Sequence, residues 1–358
     1  MVAAKPRGTQ TIGYPNILHQ CVNAVYAAMC ARSLDGGLTW GPSVPVYPKP
    51  EPTQGCGSQH GHLTASPNGK VYLPTSLCGT KPTIFISEDD GLTWRESVIA
   101  NVNVPFIDPT VSVDSKGNLY AAYVDESGWL YFSSSKNDGV KWTKPVQVAK
   151  GYTANMPVIV AGDPGKVSIA YPGTNDLSKG YKTKGYLDNP GDPELMEKVA
   201  WGANFTTSYN ALGSNPKFDT TVSTGSDPIG RGRMCSNGTR CSYLVDFIEA
   251  VIGPDGRPYA SFADGCIGEC SRSAKGTQVA GTANGLLTTL ATGPRLCSSV
   301  CWRFKGAPKS GIDPTAAFRF AQTPEQRRSS MGHATVTAEQ EALMRRASKS
   351  RLKAVLGH

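Results

Sequence analysis

Nine polar residues recur at fixed distances from four glycines, Gly69, Gly117, Gly165 and Gly256. Nine or ten positions before the glycine stand His60 (with Gln59), Asp108, Asn155 and Asp246. Seven before it stand His62 and Glu249, and eight after it Asp125 and Asp264. Carboxylates brought close together repel, so one can stay protonated as a general acid while another acts as base. Asp108 and Asp246 are the first candidates for that pair. Glu249 ranks behind them, because a residue three along a strand from Asp246 points to the other face. Arg231 and Arg233, in the glycine-rich stretch DPIGRGRMC, are suited to clamp a substrate carboxylate. His60, His62, Asp125 and Asp264 complete the set expected to touch substrate. His60 and His62 could hold a metal with Asp108, but strand alternation alone puts residues two apart on one side, and no metal or other cofactor is expected. Polar strand ends that only meet water would give the same pattern.

The glycines belong to hairpins that must carry these residues. The stretches are His62-LTASPNGKVYLPTSL, Thr110-VSVDSKGNLYAAYVD, Val158-IVAGDPGKVSIAYPG and Glu249-AVIGPDGRPYASFAD. Each reads as strand, tight turn, strand. The first three turn glycines are 48 residues apart, the repeat of a four-stranded unit.

A second motif lies 22 residues beyond two of these glycines. It reads Ser33-LDGGLT-Trp40, Ser87-EDDGLT-Trp94 and Ser135-KNDGVK-Trp142. The short Asp or Asn binds backbone N–H groups and holds a turn, Gly takes an angle other residues resist, and Trp is a large apolar anchor. Ser208-Tyr-Asn210, followed by Phe218, reads as a degenerate fourth copy behind an insertion near residues 174–200.

These motifs resemble the Asp-box, or BNR, repeat of the sialidase superfamily. The resemblance spans about residues 15–290 and implies an all-β, six-bladed β-propeller whose Asp boxes cap outer hairpins. It places the polar ring at the channel formed by the inner strands. Four to five blades are visible, the first incomplete: counting 22 back from Gly37 reaches Pro15, where no hairpin stands. The fifth loses the pattern after Cys266. A sialidase of this family uses an arginine triad that begins in an F/Y-R-I-P stretch, and this sequence contains no such stretch.

The ten cysteines fall into local couples, Cys21/Cys30, Cys56/Cys78, Cys235/Cys241, Cys266/Cys270 and Cys297/Cys301. They read as disulfides of an oxidising compartment. A four-thiolate zinc site from the last two couples is the competing reading. The opening stretch MVAAKPRGTQ has no apolar core of a signal peptide, so a secreted protein implies a missing or processed N-terminus. No apolar run is long enough for a membrane helix.

The net charge of +8 is concentrated at one end. From Arg303 onward there are 11 Lys and Arg against four Asp and Glu, leaving the remainder at +1. A near-neutral body argues against a nucleic-acid groove. The domains expected are a propeller over 1–302 and a basic tail over 303–358, helical at most over Thr337–Leu356.

The resemblance implies a secreted, monomeric glycoside hydrolase of the exo-α-sialidase type acting on extracellular glycans. The alternatives are a non-catalytic carbohydrate- or protein-binding propeller, and an inactive gene remnant.

Overall fold

The computed structural model describes residues 1–23, 28–46, 60–78, 81–105, 108–176, 199–232, 248–272 and 284–298. The chain divides into two compact units, Met1–Lys305 and Gly306–His358. All described residues lie in the first, so the expected tail and its helix fall outside them.

Among the described residues, alternating apolar residues and glycine turns produce five antiparallel sheets in chain order, against the six blades that the resemblance implies. Blade 1 is β1 (Val2–Ala4), β2 (Ile17–Asn23), β3 (Ala28–Ser33) and β4 (Val44–Pro45). Blade 2 is β5 (Thr64–Ala65), β6 (Val71–Cys78), β7 (Lys81–Ser87) and β8 (Arg95–Val98). Blade 3 is β9 (Thr110–Val113), β10 (Leu119–Val124), β11 (Leu130–Ser135) and β12 (Val146–Gln147). Blade 4 runs from β13 (Thr153–Ala154) and β14 (Val158–Ala161) through β15 (Val167–Thr174) and β16 (Ala200–Ser208) to β17 (Asp219–Val222) and β18 (Gly230–Arg231). Blade 5 is β19 (Glu249–Ile252), β20 (Pro258–Asp264) and β21 (Asn284–Thr289), with a short helix α1 (Glu269–Arg272) after β20.

The first blade is complete, contrary to the sequence expectation. Its inner strand β1 pairs with β2 through Val2↔His19 and Ala4↔Ile17. Residues 5–16 join them as a long loop in place of a tight glycine turn, so the 22-residue spacing has nothing to find. Blade 5 also continues beyond Cys266. Its third strand β21 pairs with β20 only after α1 and further intervening residues. The loop after β21 then binds its own hairpin turn, Leu296 N donating to Gly256 O at 2.8 Å, as Ala211 N does to Gly165 O at 2.9 Å in blade 4.

Successive side chains on a strand point to opposite faces, and that alternation builds the core between blades. Leu73 and Phe85 face blade 1, while Tyr72, Ile84 and Ile86 face blade 3. Tyr120 and Phe132 meet Ile159, Val167 and Tyr171 between blades 3 and 4. Ala170, Trp201 and Phe205 meet Ala250 and Phe262 between blades 4 and 5. Each fully buried large side chain contributes about 1.5–3 kcal/mol. The middle strands of blades 2 to 4 are therefore buried on both faces. Among the described residues the end blades pack against a neighbouring blade on one face only, and on the other Val22 is 48%, Val251 52% and Leu287 56% exposed.

The motif turns join β3 to β4, β7 to β8 and β11 to β12. In the second, Gly91 N donates to Ser87 Oγ at 2.8 Å, Thr93 N to Asp89 Oδ1 at 2.9 Å and Thr93 Oγ1 to Asp89 Oδ2 at 2.6 Å. Asn137 accepts from Lys141 N at 3.0 Å in the third. The degenerate copy is built likewise, with Lys217 N donating to Asn210 Oδ1 at 2.8 Å. Gly91 and Gly139 have φ of 84° and 75°, which only glycine adopts cheaply. Trp94, Trp142 and Phe218 pack into the cores between their own blade and the preceding one.

Two of the expected disulfides are among the described residues. Cys21–Cys30 bridges directly paired positions of β2 and β3, with Cα atoms 4.1 Å apart. Cys266–Cys270 spans the segment leading into α1, with Cα atoms 5.0 Å apart. Cys297 is also disulfide-bonded. These bonds leave no thiolates at Cys266 and Cys270 for the competing zinc site. The couples Cys56/Cys78 and Cys235/Cys241, and Cys301, involve residues outside those described. No helix among the described residues is long and apolar enough to cross a membrane.

Candidate active site

The segment before β5 carries His60 and His62, and Gly61 between them sets its course. A Cβ at Gly61 would lie 2.5 Å from Pro109 O and 3.4 Å from Asp108 Cβ. Without a side chain, the backbone passes directly over the start of blade 3, and Gly61 N donates to Pro74 O at 2.9 Å. His62 and Asp108 are thus held at the same end of neighbouring blades.

Glu249, the first residue of β19, comes to this point from blade 5. Its Oε2 lies 3.2 Å from His62 Nδ1. A contact between blades 2 and 5 requires the row of blades to curve into a ring, with the pair on its inner side. Strand alternation places Ala250 and Ile252 against blade 4 and leaves Glu249 on the open face of β19.

The electrostatics match the geometry. Hydrogen bonding to Glu249 raises the pKa of His62 despite its partial burial, with the charges of Glu249 and Asp108 adding to the effect. Burial pushes Glu249 upward, but the bond and charge of His62, with the Ala250 N–H, bring it below the usual range. The side chains are 52% and 58% exposed, so water screens the pair and a ligand can reach it. His60 is more enclosed. Its Nδ1 donates to Gly61 O at 2.9 Å, and burial lowers its pKa.

The remaining candidates lie elsewhere or cap the backbone. Asp125 Oδ1 accepts from Ser127 N and Trp129 N, both at 2.9 Å, and so closes its own turn. Asp264 Oδ1 accepts from Cys266 N at 3.1 Å. Alternation puts Asp264 on the side of Ala260 and Phe262, against blade 4. Burial raises the pKa of both carboxylates, against their backbone hydrogen bonds, and Asp227 adds repulsion at Asp264. Arg231, on β18, donates from Nε to Cys270 O at 2.7 Å. Asn155 is buried, with its backbone N–H on Pro172 O at 3.0 Å. Asp246, Arg233 and Gln59 lie outside the described residues.

The structure therefore gathers His60, His62, Asp108 and Glu249, and sets Arg231 and Asp264 at the junction of blades 4 and 5. Sequence reasoning missed Gly61, whose lack of a side chain permits the close approach. It also missed Asp227 and the Cys270 carbonyl as neighbours of Asp264 and Arg231. Among the described residues, no group of three or more His, Cys, Asp or Glu side chains is placed to hold a metal ion. Chemically, the gathered set can keep one carboxylate ionised beside a readily protonated imidazole, with a second carboxyl group, that of Asp108, nearby.

No protein-family model and no curated protein matches this sequence. Solved structures with similar chains include a Dyadobacter fermentans protein of unknown function, 16% identical, covering 72% of this chain and 64% of that one, TM-score 0.41. The K499G mutant of the NanB sialidase from Streptococcus pneumoniae is 12% identical over 73% of this chain and 35% of its own, TM-score 0.42. An α-L-arabinanase from Penicillium chrysogenum is 17% identical over 74% and 76%, TM-score 0.43. The chain thus spans less than two thirds of the length of the two bacterial proteins. Its own five sheets, with Ser-Asp/Asn-Gly turns in blades 1 to 3 and a variant in blade 4, give the described residues an all-β, propeller-type architecture.

Proposed function

We propose that this protein is a secreted glycoside hydrolase whose reaction centre is formed by His62, Glu249 and Asp108. The observation that carries the reading is the 3.2 Å contact of His62 with Glu249 on the inner side of the ring. Glycosidic cleavage needs one group to protonate the leaving oxygen and one ionised group at the sugar carbon or its water. Glu249, held ionised by His62, suits the second role. Asp108, or His62 while protonated, suits the first. Asp246, just before Glu249 in the chain, remains a candidate acid.

Sialosides are the finer expectation, with Arg231 and Arg233 as the carboxylate clamp. Arabinosides are a further class to include in the assay. Disulfides such as Cys21–Cys30 support an extracellular setting. The reading assigns the protein a glycan partner, no cofactor and a monomeric state. The test is release of aryl alcohol from a panel of aryl glycosides, sialosides and arabinosides included. Wild type should turn over at least one, and Glu249→Gln should lose the activity while keeping its fold.

The pair also serves a second reading, because an ion pair between blades 2 and 5 is what a clasp in a non-catalytic glycan-binding propeller needs. Folded wild type that is inert on the whole panel yet retained on a glycan array would establish that reading.

A further inference from the structure

The repeat offers an internal comparison at the contact between successive blades. The motif serines Ser33 and Ser87 pair with Leu18 and Val71, so the next positions, His19 and Tyr72, are equivalent. Both face the motif turn of the following blade. Tyr72 reaches it, its hydroxyl 3.5 Å from Asp138 Oδ1. His19 packs beneath the second turn, where a Cβ on Gly91 would stand 2.9 Å from its Nδ1. Its side chain is 1% exposed, and neither ring nitrogen has a hydrogen-bond partner among the described residues. A tyrosine at this place can never gain a positive charge, whereas a histidine can.

The groups around His19 leave a cation poorly served. Arg32, its register partner on β3, donates to Asp90 O at 3.2 Å. The Asp90 carboxylate, on the β7–β8 turn, already accepts from Arg7 N at 2.8 Å and Thr9 N at 3.2 Å. Arg7, on the β1–β2 loop, extends to Glu88 O and Asn68 O, both at 2.8 Å. Glu88 is in turn held by Lys70 and Arg95.

We propose that His19 is an acid-operated latch between blades 1 and 2. The neutral imidazole fills the interface. A proton taken from solvent onto one ring nitrogen makes a cation that needs water, and water enters only if the interface opens. Blade 1 is an end blade with one face already exposed, and Cys21–Cys30 ties β2 to β3, so it moves as a single hairpin unit. Burial lowers the pKa of His19 from 6.5 to about 4; the Asp90 carboxylate opposes the shift and Arg32 adds to it. A lowered pKa favours the proton on the open form. The interface is therefore at full strength above 6.5 and weakens as the pH falls toward 4.

Hydrogen exchange on the full chain tests this, corrected for intrinsic rates. Between about pH 7 and pH 4.5, amides of β2 and β3 should lose about 50- to 100-fold in protection, while those of β10 and β11 hold. His19→Tyr, which copies blade 2, and His19→Phe should flatten the profile. The same loss in wild type and both variants would overturn the latch. Should the variants not fold, the histidine titration of wild type by NMR decides: a His19 value below about 5 supports the proposal, and one near the ordinary value overturns it.

Discussion

His62 and Glu249 stand at the same position of their repeats, seven residues before the turn glycine of blades 2 and 5, and meet at 3.2 Å. Equivalent positions of different blades point to a common axis, so the ring turns a periodic sequence feature into one site.

The coupling of this pair is visible in titration. His62, raised by Glu249, should titrate above the ordinary histidine value in wild type and return toward it in Glu249→Gln. Glu249 is lowered and His62 raised, so the ion pair exists between those two pKa values. It is lost as pH rises through that of His62 or falls through that of Glu249. NMR of the histidine ring protons measures this, and identical curves for wild type and variant would refute the coupling.

Gly61→Ala should disturb the site without touching a titrating group. The new methyl would stand 2.5 Å from Pro109 O, and a carbonyl of the backbone cannot step aside as a flexible side chain does. A destabilisation of about 1–3 kcal/mol is expected. Urea unfolding gives the cost, and a shifted His62 titration reports the movement away from Asp108.

Asp89 tests the turns. It accepts bonds from the hydroxyl and N–H of Thr93, and those of Thr93 and Ser87 lower its pKa against the effect of burial. Asp89→Ala should cost about 0.5–1.5 kcal/mol by removing these bonds, because the exposed Thr93 donors turn to water. Asp89→Asn should cost less, because Asn137 already closes the third turn in the same way. The Asp89 contribution should be complete above the unfolded carboxylate value and fade as pH falls through its lowered folded value. Equal losses for Ala and Asn would show that the side-chain oxygen is not what holds the turn.

The basic segment from Arg303 carries charge and few apolar residues, which gives it little to bury. Removing residues 303–358 by limited proteolysis should leave the melting temperature unchanged. A large drop would assign those residues to the propeller.

The sequence by itself determined the blades whose turns are local. A serine, an Asp or Asn and a Gly within five residues close their own hydrogen bonds, so the motif turns are legible without any partner. Even the stretched copy at Ser208, Asn210 and Phe218 could be read, because Asn210 binds Lys217 much as Asn137 binds Lys141. The blades that escaped the pattern are those whose strands are joined by long segments, residues 5–16 in blade 1 and the α1 region in blade 5.

Only the tertiary structure decided which polar residues come together. Alternation ranks Glu249 behind Asp246, which lies outside the described residues, and it says nothing of what lies across the ring, where Glu249 meets His62. Asp125 and Asp264 are equivalent to the others in spacing, and each binds a nearby backbone N–H as Glu249 binds Ala250 N, but Glu249 also turns its second oxygen to His62 on another blade. Spacing fixes where along a blade a side chain stands. Which side chains meet depends on how the blades curve, and that is set by the packing of Tyr72, Phe132, Trp201 and their neighbours between successive sheets.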